Sequence, residues 1–241
     1  ALKYFAMADK QFITSMFDSI AGDYDSLNHL FSLNMDRRWR RKAVAEVMRD
    51  AAPRQILDVA CGTGDLAVAL AGAAPKGGRV TGVDISKKML ALVGRKAAKA
   101  GVAFNIKTEV ADAEHLPYAD GTFDAVTCAF GVRNFVHLEA GLREMLRVLK
   151  PGGKLVILEL ATPDSPLVKP FYRLYTRHII PRLGHHLAGN REAYTYLPNS
   201  IERFPKGKAF IDRIPHSSLL TPHSSERKLT FGVCRMYTMV K

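Results

Sequence analysis

An α/β fold with a doubly wound, mostly parallel sheet follows from three observations. From Gln55 onward, short β-rich runs alternate with segments of helical period. The first run enters the tight turn Gly62-Thr63-Gly64, and an acid, Asp84, stands at the end of the second run, 20 residues after Gly64. The chain shows no internal repeat and no low-complexity tract, so its 241 residues read as one domain.

Residues 1–50 carry helical patterns ahead of the first strand and are expected to form an N-terminal helical lid. Gln55 to Ala60 reads as a buried strand, Asp65 to Ala73 as a helix, and Arg79 to Ile85 as the second strand. Ser86 can cap the helix that runs to about Ala100, because its hydroxyl accepts from a free first-turn amide. Phe104 to Val110 and Phe123 to Phe130 are further strands. His137 to Leu149 sets Leu138, Leu142, Met145, Leu146 and Leu149 on one helical face. Lys150-Pro151-Gly152-Gly153 stops that helix, and Lys154 to Leu160 is the next strand. Residues 55–160 are therefore the ligand-binding core. Residues 161–200, with five prolines and many aromatics, read as an inserted cap, and 201–241 as a C-terminal helix and a strand over Leu229 to Val240.

Composition narrows the class. An apolar fraction of 47% supports a sizeable core and excludes a disordered chain. No long uncharged apolar run suggests a transmembrane helix, and Lys3, Asp9 and Lys10 interrupt any secretory pattern. The expected location is the cytoplasm or, peripherally, the inner face of the membrane. Cys61, Cys128 and Cys234 form no CxxC pair, so neither a zinc site nor a disulfide framework is indicated. The charge of +12 favours anionic partners. No RNA-binding motif or aromatic platform accompanies it, so no nucleic acid is expected, and a phospholipid surface is the better match.

In an open α/β sheet, ligands bind at the carboxyl ends of the strands near the switch point. Glycine at positions 62 and 64 lets a ligand approach the backbone, and the helix behind offers free amides. Asp84 can accept both hydroxyls of an adenosine ribose. The run Gly62-x-Gly64-x-x-Ala67 also fits a dinucleotide loop. Asp58 separates the two ligands, since a carboxylate repels a pyrophosphate but favours an α-amino group or a sulfonium. This points to S-adenosyl-L-methionine. Asp112, in Asp112-Ala113-Glu114-His115-Leu116-Pro117, is placed to meet the adenine amino group. The order of glycine loop, ribose acid, adenine-side acid and Leu-Lys-Pro-Gly-Gly turn resembles the Rossmann-like class I methyltransferases over residues 55–160.

A narrower resemblance, nearly full-length, is to the UbiE/MenG family of quinone C-methyltransferases. Its motifs are Met16-Phe17-Asp18-Ser19-Ile20-Ala21 with Tyr24-Asp25, Phe130-Gly131-Val132-Arg133-Asn134, Arg147 to Gly153, Leu158-Glu159, and Leu229 to Cys234. The resemblance implies conversion of demethylmenaquinol to menaquinol, with a prenylated naphthoquinol as substrate. It also implies cofactor contacts at Thr63, Asp84, Asp112 and Ala113. A position usually held by serine is Ala129 here. Where the family has a short turn into its penultimate strand, Pro215 to Ser225 is rich in Pro and Ser and reads as loop.

Methylation of a quinol carbon needs a lost hydroxyl proton or a stabilised phenolate. Arg133 and Asn134, just past the fourth strand, are the expected acceptor-side residues. Arg133 stays protonated and can stabilise a quinolate or orient a water. Candidate bases are Asp25, Tyr24, His115 and a water. No metal is needed, because the cofactor carries a reactive methyl group. Phe171, Tyr172, Leu174, Tyr175, Ile179, Ile180, Tyr194 and Tyr196 are candidates to line a prenyl pocket. Arg37-Arg38-Trp39-Arg40-Arg41-Lys42 is a candidate contact for lipid phosphates at an anionic membrane surface. A homodimer is left open.

Overall fold

The computed structural model describes residues 9–50, 52–180, 182–183, 191–215 and 224–241. Among the described residues, seven strands form one sheet in the order β3-β2-β1-β4-β5-β7-β6. These are β1 (Gln55–Val59), β2 (Arg79–Asp84), β3 (Ile106–Val110), β4 (Phe123–Ala129), β5 (Leu149–Leu160), β6 (Ser225–Leu229) and β7 (Cys234–Val240). The first five run parallel, and β7 runs antiparallel to both β5 and β6. The strand order reverses between β1 and β4, so the ligand crevice of such a sheet opens at their carboxyl ends.

Alternate residues of each central strand feed opposite faces. Leu57, Leu155 and Ile157 join a core completed by α6 (Leu138–Val148), Phe210 and Tyr237. Ile56, Val156 and Leu158 join a core completed by α3 (Met35–Met48) and α4 (Asp65–Ala73). Burial on both faces is why these strands read as unbroken apolar runs. Ser86 caps α5 (Lys87–Lys99), accepting from the Met89 amide at 3.1 Å.

The N-terminal region is helical as expected, with α1 (Lys10–Ile20) and α2 (Tyr24–Phe31) ahead of α3. Ile13, Met16, Ile20, Leu27 and Phe31 bury against Met89 of α5 and Ile180 of the insert, so the lid has an apolar seam of its own. The insert contains α7 (Val168–Leu174), continued by a wider turn over Tyr175–Ile179, and a helix over Arg191–Arg203 that passes Pro198.

Three boundaries differ from expectation. Phe104 lies in a 3-10 turn over Ala103–Asn105 and points into solvent, so β3 starts later, at Ile106. Lys150 to Gly153 does not separate a helix from a strand. β5 begins at Leu149, paired with Phe123, and the register then jumps to Ala125 opposite Lys154, so the four residues bulge within the strand. The single strand expected over Leu229 to Val240 is instead the hairpin β6–β7, broken by a 3-10 turn over Thr230–Gly232. The strand before this turn, Ser225–Leu229, is present; the loop expectation there also covers 216–223, which lie outside the described residues. Among the described residues, no helix is long and apolar enough to cross a membrane.

Candidate functional site

Two adjoining cavities open at the carboxyl ends of β1, β2 and β4. The first is bordered by Gly62, Asp84, Ile85, Asp112, Ala113 and Asn134, with α1 and α2 covering it through Lys10, Ile13, Phe17 and Tyr24. The chain reverses tightly here: Gly62 and Gly64 have φ of +56° and +85°. A Cβ on Gly64 would meet the Val93 side chain at 2.8 Å, so glycine is required both by backbone angle and by the approach of α5. Asp84 is held ready from below. The Gly62 amide donates to its Oδ2 at 2.8 Å and the Ser86 amide to its Oδ1 at 2.9 Å. Burial pushes its carboxyl above the ordinary range, and these amides pull it back.

Asp58 does not border this cavity. It is buried beneath the glycine loop, where Thr127 Oγ1 donates to its Oδ1 at 2.6 Å, and its Oδ2 has no partner. Burial raises its pKa to about 7. Thr63 also turns away, donating to Asp25 Oδ1 at 2.5 Å. Lys96 Nζ joins Asp25 Oδ2 and Asp65 Oδ1, each at 2.5 Å. Arg40 pairs with Asp36 and lies 3.5 Å from Asp65, while His29 reaches Asp36 at 2.7 Å. This cluster of acids is thus taken up by cations of the chain, and it fastens α2 and α3 to the loop. Both oxygens of Asp25 are engaged, and it borders neither cavity. His115 is exposed and sits in a separate surface groove.

The second cavity, about 250 Å³, is more apolar. Tyr24, Phe31, Trp39, Phe130, Tyr172, Tyr175 and Ile180 stand on its wall, with Arg133 among them. Tyr24 and Phe130 border both cavities and divide them. Burial pushes the Tyr24 hydroxyl up, so it stays a neutral phenol near pH 7. Arg133 is buried: its Nη1 donates to Glu159 Oε1 at 2.7 Å and to the Phe130 carbonyl at 2.5 Å, while its Nε has no acceptor. Asn134 faces the first cavity, and its Oδ1 accepts from the Tyr196 hydroxyl at 3.0 Å. Trp39 points inward and donates to Thr230 Oγ1 at 2.9 Å, so it is not at a lipid interface. Of the insert's aromatics, Phe171 points outward, and the Tyr194 side chain lies outside the described residues.

Two further residues belong to this site: Lys10, to which the sequence assigns no role there, and Glu159, which it gives only as part of the family motif Leu158-Glu159. Lys10 Nζ bridges Asp112 at 2.5 Å and Glu114 at 2.8 Å, closing α1 over the loop that follows β3. Nothing local to Lys10 signals that partner. Glu159, fully buried beside Arg133, does carry a signal: it is the one acid in the apolar run Leu155 to Leu160.

The lining fits an adenosyl cofactor: a tight glycine turn with positive φ at the cavity's edge, and an acid, Asp84, that faces the cavity with its carboxylate oriented by two backbone amides. Residues 5–241 match the model of the ubiE/COQ5 methyltransferase family. The chain is 45% identical over 232 residues to a demethylmenaquinone methyltransferase of Bacteroides fragilis, covering 95% of this chain and 92% of that one. It is 45% identical over 227 residues to the enzyme of that name from Deinococcus radiodurans, covering 94% and 91%. In structure it resembles the 4+2 cyclase SpnF, with a TM-score of 0.62 at 19% identity, covering 98% of this chain and 97% of that one. It also resembles a SAM-dependent methyltransferase from Aquifex aeolicus, with a TM-score of 0.53 at 18% identity, covering 84% and 89%. At such identities these structures speak for the Rossmann-like fold alone.

Proposed function

This chain belongs to the ubiE/COQ5 methyltransferase family, and from that premise we propose that it is an S-adenosyl-L-methionine-dependent C-methyltransferase converting demethylmenaquinol to menaquinol. The observation that carries the reading is the pair of cavities divided by Tyr24 and Phe130, one lined by candidate ribose and adenine acceptors and the other largely apolar, with Arg133 and the Asp36-paired Arg40 on its wall. When bound, S-adenosyl-L-methionine supplies a methyl group already activated on a sulfonium.

The chain's own residues do the rest. Asp84 accepts from the ribose hydroxyls, and Asp112 and Ala113 enclose the adenine side. Asp58, Thr63 and Gly64 shape the loop from behind. Tyr24 and Phe130 bring the acceptor ring against the cofactor cavity and keep bulk water out. Arg133 stabilises the negative charge that develops as a quinol hydroxyl loses its proton. It does not take that proton, because its pKa is too high. Tyr24 is held protonated and Asp25 is bound on both oxygens. With His115 exposed in a separate groove, a water is the proton acceptor, and Arg133 faces the developing quinolate from the wall of the second cavity. The prenyl tail follows the apolar wall outward, and the chain meets an anionic membrane surface peripherally.

The test supplies S-adenosylmethionine labelled on its methyl group together with demethylmenaquinol analogues. Label in the quinone ring is the expected result. Label absent from quinone but present in another lipid or phenol of an acceptor panel would reject the substrate assignment.

A further inference from the structure

The lid, the insert and the terminal hairpin together turn apolar side chains outward beside the acceptor cavity. Leu33, Leu167, Phe171, Leu174 and Phe231 are between 57% and 79% exposed. Leu33 stands on the cavity wall itself. Phe231 follows Thr230, another wall residue, and Phe171 and Leu174 each precede one, Tyr172 and Tyr175. The insert helix thus gives Tyr172, Tyr175 and Thr176 to the cavity and leaves Leu167, Phe171 and Leu174, spaced i, i+4 and i+7, on its opposite face. Single exposed apolar residues are ordinary, whereas a group gathered round a cavity marks an interaction surface. Thr230 and Phe231 also hold φ of +46° and +56°. That region is strained for bulky residues, so the projecting ring is kept where glycine would relieve the backbone.

Flanking charge selects the partner. Arg37, Arg38 and Arg41 are exposed on α3, which begins at Met35, two residues past Leu33. They make no ion pair among the described residues. Exposed apolar side chains beside the acceptor cavity, together with exposed cations that pair with no described acid, match a surface with anionic headgroups over hydrocarbon. We propose that Leu33, Leu167, Phe171, Leu174 and Phe231 form an insertion surface through which the chain docks on an anionic lipid bilayer, setting the acceptor cavity against the lipid. What enters the cavity rests on the quinol reading above; the docking surface stands on exposure and charge.

The full chain is sedimented with vesicles of phosphatidylcholine alone and of phosphatidylcholine mixed with phosphatidylglycerol. Binding to the mixed vesicles is expected, weakened by salt. The double variant Phe171→Ser/Leu174→Ser should bind them about tenfold less or weaker still, with its melting temperature, cofactor binding and turnover of a short-tailed, water-soluble quinol unchanged. Arg37→Glu/Arg41→Glu should lose the preference for anionic vesicles. Equal binding by wild type and both variants overturns the proposal. So does a dimer in the ultracentrifuge that the serine variant dissociates, since a second copy would then own the patch. Vesicle binding that behaves as expected while no quinol is methylated keeps the surface and rejects the substrate; methylation of the soluble quinol without vesicle binding does the reverse.

Discussion

Lys10 and Asp112 are 102 residues apart in the chain and 2.5 Å apart in space. With Glu114 at 2.8 Å, the ammonium ties the first lid helix to the loop expected to hold adenine. Lys10 is partly exposed, so the tie is a modest one, about 0.5–1 kcal/mol. Lys10→Ala should weaken S-adenosylhomocysteine binding two- to fivefold on the order of that energy and speed amide exchange in α1. Calorimetry and hydrogen exchange check both; unchanged exchange in α1 would mean the pair does not hold the lid.

Asp84 is preorganised by the Gly62 and Ser86 amides before any ligand arrives. Asp84→Ala should weaken cofactor binding by roughly 1–3 kcal/mol, as for a lost charged hydrogen-bond partner. A cofactor dissociation constant equal to that of the wild type would falsify the ribose assignment.

Arg133 and Glu159 form a buried pair, so removing one member leaves the other without its counter-charge. Arg133→Ala should lower kcat with little change in cofactor affinity, and destabilise the fold by roughly 3 kcal/mol. Arg133→Met/Glu159→Gln should recover much of the stability but none of the rate. Thermal melts and single-turnover assays of both variants separate the two roles, and recovered turnover in the double variant would make the arginine structural only.

The fully buried Asp58 has its pKa raised to about 7, above the ordinary carboxylate value it regains on unfolding. Between those values the folded chain binds the extra proton, so stability falls as pH rises through this window and the loss is complete above about 7. Asp58→Asn should flatten that dependence, raising the melting temperature relative to wild type at pH 8 more than at pH 5. Parallel melting curves for the two proteins across this range would show that Asp58 does not titrate there.

What was legible in the sequence is what local chemistry dictates. Asp65–Ala73 appears as expected because a glycine reversal and an apolar stripe define it, and α5 begins at Ser86 because a hydroxyl caps it. The acids Asp84 and Asp112 fall on one cavity because strand ends converge there. Less legible was whatever depends on partners distant in the chain. Asp25 has the look of a base until Thr63 and Lys96 occupy it. Asp58 reads as a ligand contact, yet the backbone turns it beneath the loop. The Lys150–Gly153 bulge has the composition of a helix stop, and only its pairing with Phe123 and Ala125 shows that the strand has already begun.

Tyr24 rides on α2, and the same lid covers both cavities. Any displacement of α2 therefore alters the walls of both cavities at once, so Tyr24 couples the donor side of the site to the acceptor side.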